Sequence, residues 1–146
     1  MSTGDQLLSN LGVLTSASNL PRSPWIYHVP DTSIVVTVIY VQVIVVSEVD
    51  VLTCLLYAAN DVIAHLSTPG SEFIDEDELD WNSDPVRLSL NPLPLMTWPM
   101  WGATIEGLTH FLDLYDAVAI LFEARDLLIG GSVGSGSIFN TWPGEQ

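Results

Sequence analysis

Residues 34–46 read IVVTVIYVQVIVV, and the fold depends on how that run is read. Only Thr37 and Gln42 interrupt it with polar side chains, and most of the rest are β-branched. Such side chains lose rotamer freedom in a helix and fit a pleated surface. The run is also short of the roughly 20 residues that a membrane-crossing helix needs. It therefore reads as a strand. Alternate residues share a face, so Ile34, Val36, Val38, Tyr40, Gln42, Ile44 and Val46 line one side. Val35, Thr37, Ile39, Val41, Val43 and Val45 line the other. Both sides are apolar, which predicts a central strand covered twice. Typical strands run about 5–6 residues, so a bend or bulge is expected near Gln42.

Working outward, the 146 residues make one domain by length. An apolar fraction of 48% is ample for a core. Eighteen acids stand against Arg22, Arg87 and Arg125, for a formal charge of −15, and lysine is absent. That excludes lysine Schiff-base and P-loop phosphate chemistry. It also disfavours nucleic acid and anionic membranes, which are bound by cations replacing counterions. Cys54 is the single cysteine, so no intrachain disulfide can form. The N-terminus has no basic region and carries Asp5, unlike a signal peptide. The expected compartment is cytoplasmic, or secreted where a leader has been removed.

Residues 1–24 read as an arm sprinkled with Leu7, Leu8, Leu11, Val13 and Leu14, ended by Pro21 and Pro24. WIYHVP (25–30) is an extended lead-in, since a residue before proline is held extended. Ser47 and Asp50 resemble a capping box for a helix over 49–66. Its expected buried stripe is Leu52, Leu55, Leu56, Ala59, Ile63 and Leu66. Residues 70–85 form an acidic loop judged too charged to pack. VRLSL (86–90) alternates as a strand, and a short edge strand is the most that fits near Leu95. Thr97 caps a second helix over 98–114, with Trp101, Ile105, Leu108 and Leu112 buried. Gly102 and Gly107 there suggest close approach to the sheet. Residues 117–124 and 133–139 are further strands, and 141–146 a tail. The order β-α-β-(β)-α-β-β over 25–140 predicts an α+β two-layer sandwich, with two helices on a four- to five-stranded, mostly antiparallel sheet.

YHVPDTSI, MTWPMWGATIEGLTHF and FEARDLLIGGSVGSGSI resemble a family of small uncharacterised fungal proteins of ascomycete type. The family shares a Y-x-V-P-x-T lead-in, a T-W helix start with a G-L pair, and a closing D-x-x-x-G-x-x-V-G-x-G strand. The matching positions are Tyr27, Val29, Pro30, Thr32, Thr97, Trp98, Gly107, Leu108, Asp126, Gly130, Val133, Gly134 and Gly136. The resemblance spans about residues 27–138. It implies domain limits and no activity. Members often begin with a secretion leader, a feature this N-terminus does not show.

Motifs for chemistry are sparse. GGSVGSGS lacks the G-K-[ST] of a P-loop and the strand-to-helix setting of a dinucleotide loop, and reads as turn and close-packing glycine. In the acidic loop the nearest calcium frame, Asp80, Asn82 and Asp84, meets Pro85 where glycine is needed. No metal or cofactor is expected. His28, His65 and His110 show no paired metal spacing. Asp61 lies one turn before His65 and could orient it. Cys54 is about 16 Å from His65 along the helix, too far to act as its nucleophile, and reads as a small buried hydrophobe. The weak catalytic candidates are Asp61, His65, His110 and Glu123.

The tryptophans of the second helix read first as core packing; the alternative makes Trp98 and Trp101, with Tyr40 and Gln42, the candidate ligand or partner surface, because aromatics are enriched at interfaces. Two helices can cover one sheet face and not both. The leading expectation is therefore a non-catalytic module forming a homodimer through the open face. The alternative is a cofactor-independent enzyme or carrier holding an apolar small molecule between helices and sheet. Neither reading includes a membrane span.

Overall fold

The computed structural model describes residues 19–40, 43–70 and 72–141. Two helices pack on one face of a six-stranded antiparallel sheet, the expected α+β sandwich with one strand more than anticipated. In chain order the elements are β1 (Trp25–His28), β2 (Ile34–Ile39), α1 (Glu48–Leu66), β3 (Leu79–Ser83), β4 (Val86–Pro92), α2 (Trp98–Leu114), β5 (Ile120–Asp126) and β6 (Gly131–Asn140). The sheet runs β1-β2-β5-β6-β4-β3, so β1 and β3 are its edges. Residues 1–18 of the arm and 142–146 of the tail lie outside the described residues.

The long apolar run is not one strand. It ends as a strand at Ile39, which pairs with Leu121. The chain returns to the same neighbour at Val45, opposite Val118. Between these points it advances six residues while its partner advances three, so the register between the two strands shifts there. The surplus that made the run too long for a strand is accommodated there. Gln42, where the bend was expected, lies outside the described residues.

On β2, Ile34, Val36 and Val38 are buried under the helices, while Val35 and Thr37 are half-buried and Ile39 exposed. Among the described residues the second face is thus left uncovered by the two helices. The extra strands come from two places. The WIYH lead-in is edge strand β1, with Trp25 and Tyr27 facing the helices and Ile26 and His28 facing out. The acidic loop contains β3, which corrects its reading as a segment too charged to pack. Alternation explains this: Trp81 is buried while Asp80 and Asn82 face water. Ile74 is buried as well, and its N–H donates to the Met96 carbonyl. That segment and Thr97 take the place of the short strand anticipated near Leu95, which is exposed.

Both helix starts are as read. Ser47 Oγ accepts from the Asp50 N–H at 3.3 Å, and Thr97 Oγ1 from the Met100 N–H at 3.2 Å. On α2, Trp101, Ile105, Leu108 and Leu112 are all buried. Gly107 permits close approach to β2: a Cβ there would sit 2.8 Å from Val36 Cγ2. Gly102 instead faces α1, 3.2 Å from Val62 Cγ1. On α1 the buried residues are Val51, Cys54, Leu55, Ala58 and Val62. Of the expected stripe only Leu55 is buried; Leu52, Leu56, Ile63 and Leu66 are exposed. α1 is long and apolar enough, by length and composition, to cross a membrane; here one face of it closes the core.

Candidate functional site

The bulge builds a cleft. Because the chain leaves the sheet line after Ile39, Tyr40 and Ile44 rise beside the ends of β5 and β6. The space of about 430 Å³ between them is lined by Ile39, Tyr40, Ile44, Ala119, Leu121 and Phe139, with Ser137 as its polar side chain. Bulges commonly re-aim side chains next to sites in this way. The wall is anchored by Tyr40, whose hydroxyl donates to the Pro21 carbonyl and whose N–H donates to Ser23 Oγ at 3.3 Å. Asn140 Nδ2 donates to the Val45 carbonyl at 3.3 Å on the far side of the bulge.

The cleft opens on the uncovered sheet face, not between helices and sheet. That interior is filled: Trp101 stacks between Trp81 and Phe122 with centroids at 5.5 and 6.0 Å. Register shows how the open face divides. One row runs Ile39, Leu121, Ser137, Ser89, Asp80 across the strands. The next runs Ile26, Thr37, Glu123, Ser135, Asn91. Apolar side chains thus gather at the β1, β2 and β5 side, and polar ones toward β3 and β4. Ser89 donates to Asp80 at 2.5 Å and Arg87 Nε to Asn82 at 3.1 Å, which engages two residues of the nearest calcium frame.

The catalytic candidates do not converge. Asp61 accepts from the Trp81 indole N–H at 2.7 Å, and so serves the core, not His65. His65 Nδ1 meets the Asp61 carbonyl at 2.8 Å, and the ring stacks on Trp98 at 3.7 Å. His110 stacks on Tyr27 at 4.4 Å, beside Trp25, at the outer edge of the α2–β1 contact. Glu123 stands alone of the four on the open sheet face. Cys54 is fully buried; its thiol meets the Val86 carbonyl at 3.7 Å, and burial pushes it above the ordinary cysteine range. Among the described residues no three His, Cys, Asp or Glu side chains gather as a metal site.

Of the surface candidates, Tyr40 lines the cleft and Gln42 lies outside the described residues. Trp98 and Trp101 are buried, Trp101 within the stack of Trp81 and Phe122 and Trp98 against His65. Ile39, Ile44 and Phe139 are not singled out by sequence. For Ile39 and Ile44 the signal is the overlong run itself, whereas Phe139, on β6, carries none.

Thr32, Asp126, Gly130 and Gly136 hold the fold locally. Thr32 Oγ1 donates to the Val29 carbonyl at 2.8 Å and accepts from the Ile34 N–H at 3.1 Å, closing the β1–β2 turn. The buried Asp126 carboxylate accepts from the N–H groups of Leu128 and Ile129 at 2.8 and 3.4 Å. Gly130 takes φ +83°, the left-handed conformation glycine adopts freely. A Cβ at Gly136 would collide with the Ser89 carbonyl and the Phe122 ring. Comparison with protein-family models, curated proteins and solved structures finds no match.

Proposed function

We propose that the protein is a non-catalytic interaction module that associates with a second copy through the apolar end of its open sheet face. The supporting observation is the cluster of Ile39, Ile44, Leu121 and Phe139 around the bulge cleft, with Leu121 54% exposed. Ile26, 65% exposed on the neighbouring edge strand, extends the cluster. Soluble proteins keep contiguous apolar patches small unless something covers them, and a twofold pair covers the same patch on both copies at once. Among the described residues the candidate histidines and carboxylates lie apart from one another. Sedimentation at micromolar concentration and moderate salt should give a dimer, and Leu121→Asp should give a folded monomer. A wild-type monomer of 15.9 kDa overturns this reading.

The concavity of the cleft favours a second reading, a carrier of an apolar small molecule. Its volume falls in the range of about 300–1,000 Å³ typical of ligand pockets. In that case native mass spectrometry of the wild type finds a bound apolar molecule on the monomer, and Leu121→Asp loses it.

A further inference from the structure

The face that α1 turns to solvent carries Val49, Leu52, Leu56, Ala59, Ile63 and Leu66, spaced 3, 4, 3, 4 and 3 residues apart. That alternation is the a/d seam of a helix made to pack against another helix. The core does not use it: Val49 is 73% exposed, Leu56 59% and Ile63 61%. The bulge cleft lies on the opposite layer.

Residues 1–18 precede the first described stretch, and Asn19 shows where they leave it. The Asn19 N–H donates to the Asp116 carboxylate at 2.9 Å, its Nδ2 to the Leu114 carbonyl at 3.0 Å, and its carbonyl accepts from the Asp116 N–H at 2.9 Å. Leu20 packs against the core. This is the end of α2, and it is also the beginning of α1, because the Val46 N–H donates to the Ala117 carbonyl. At the other end His65 of α1 stacks on Trp98 of α2, so the two helices are antiparallel. The described chain thus begins, at Asn19, beside the end of α2 and the beginning of α1. Wound as a helix, 18 residues span about 27 Å, against about 28 Å for α1. Leu7, Leu11 and Leu14 have the matching 4 and 3 spacing.

We propose that the outer seam of α1 is the docking surface for the N-terminal residues of the same chain, running antiparallel to α1. Leu14 lies level with Leu52, Leu11 with Leu56 and Leu7 with Ala59. The arm then completes the helical layer and leaves the open sheet face free.

The test is a full-length chain with Cys54→Ala and the pair Leu11→Cys and Leu56→Cys. Mild oxidation should convert the population to a species crosslinked within one chain, at monomer mass on a non-reducing gel. The control pair, Leu11→Cys with Thr37→Cys on the open sheet face, should stay reduced. A bond between two chains would assign the seam to a second copy and overturn the proposal, and so would the absence of any bond. If the Cys54→Ala background does not fold, Leu11→Glu with Leu14→Glu in the otherwise native chain takes its place. Binding of an apolar fluorescent dye should rise as the seam is uncovered; unchanged dye binding overturns the proposal.

Discussion

α2 turns its largest side chains inward, and α1 turns its largest outward. On α2 the aromatic and leucine stripe of Trp101, Ile105, Leu108 and Leu112 is buried. On α1 the buried face is made of the smaller Val51, Cys54, Ala58 and Val62 with Leu55, while Leu52, Leu56, Ile63 and Leu66 point away. The two differ because they share one interior. Trp101 brings a stack that continues through Trp81 and Phe122. An interior packs to nearly constant density, so the helix facing that stack brings small side chains. Two polar contacts fix its roll. Asp50 accepts from the Ser83 hydroxyl at 2.7 Å and Asp61 from the Trp81 indole at 2.7 Å. These residues lie three turns apart on the flank that faces β3.

The largest break to this contrast is removal of the stack. Trp101→Ala should cost about 3–5 kcal/mol, the usual range for a buried aromatic, read from the urea midpoint. Trp101→Phe should cost clearly less. The Trp101 indole N–H is buried with no hydrogen-bond partner among the described residues, and phenylalanine removes that unsatisfied donor. An Ala variant as stable as wild type would mean that α2 does not anchor the interior.

A second, smaller test compares neighbours on α1. Leu55→Ala should cost about 2–5 kcal/mol. Leu56→Ala should cost less, by an amount set by how much of the outer seam the N-terminal residues cover. Equal costs would mean that the roll of α1 is wrong.

The same contrast explains what was legible. α2 has one apolar stripe, so helical spacing identified its buried face. α1 has two, and spacing alone selected the one with more leucines. What decides between them is Trp81, Ser83 and the Trp101 stack, all distant in sequence. β3 is hidden in the sequence because its charges mask its alternation: LDWNS places Trp81 between Asp80 and Asn82, which is the pattern of an edge strand. The cleft was half legible. The overlong apolar run announced a bulge, and alternation through 117–124 put Leu121 on the second face. Phe139 joins them only through the β5–β6 register, which the sequence does not print.

The smallest effect concerns the polar contact that sets the roll of α1. The Ser83 hydroxyl, and after it Ser47, hold the Asp50 carboxyl below the ordinary aspartate value, against a smaller opposing effect of burial. A folded pKa below the unfolded one favours the charged form in the folded state. The contribution is therefore complete above the unfolded aspartate pKa and is lost as pH falls through the folded one. An NMR titration of the Asp50 side-chain carboxyl should show a midpoint below the ordinary value in the wild type. In Ser83→Ala it should move back up, and acid unfolding should lose the part of its pH dependence that Asp50 supplies. The hydroxyl is the largest cause of the shift, so its removal must move the midpoint. If the midpoint stays where it was, the Asp50–Ser83 contact does not hold α1 against β3, and the orientation of its two apolar faces must rest on packing alone.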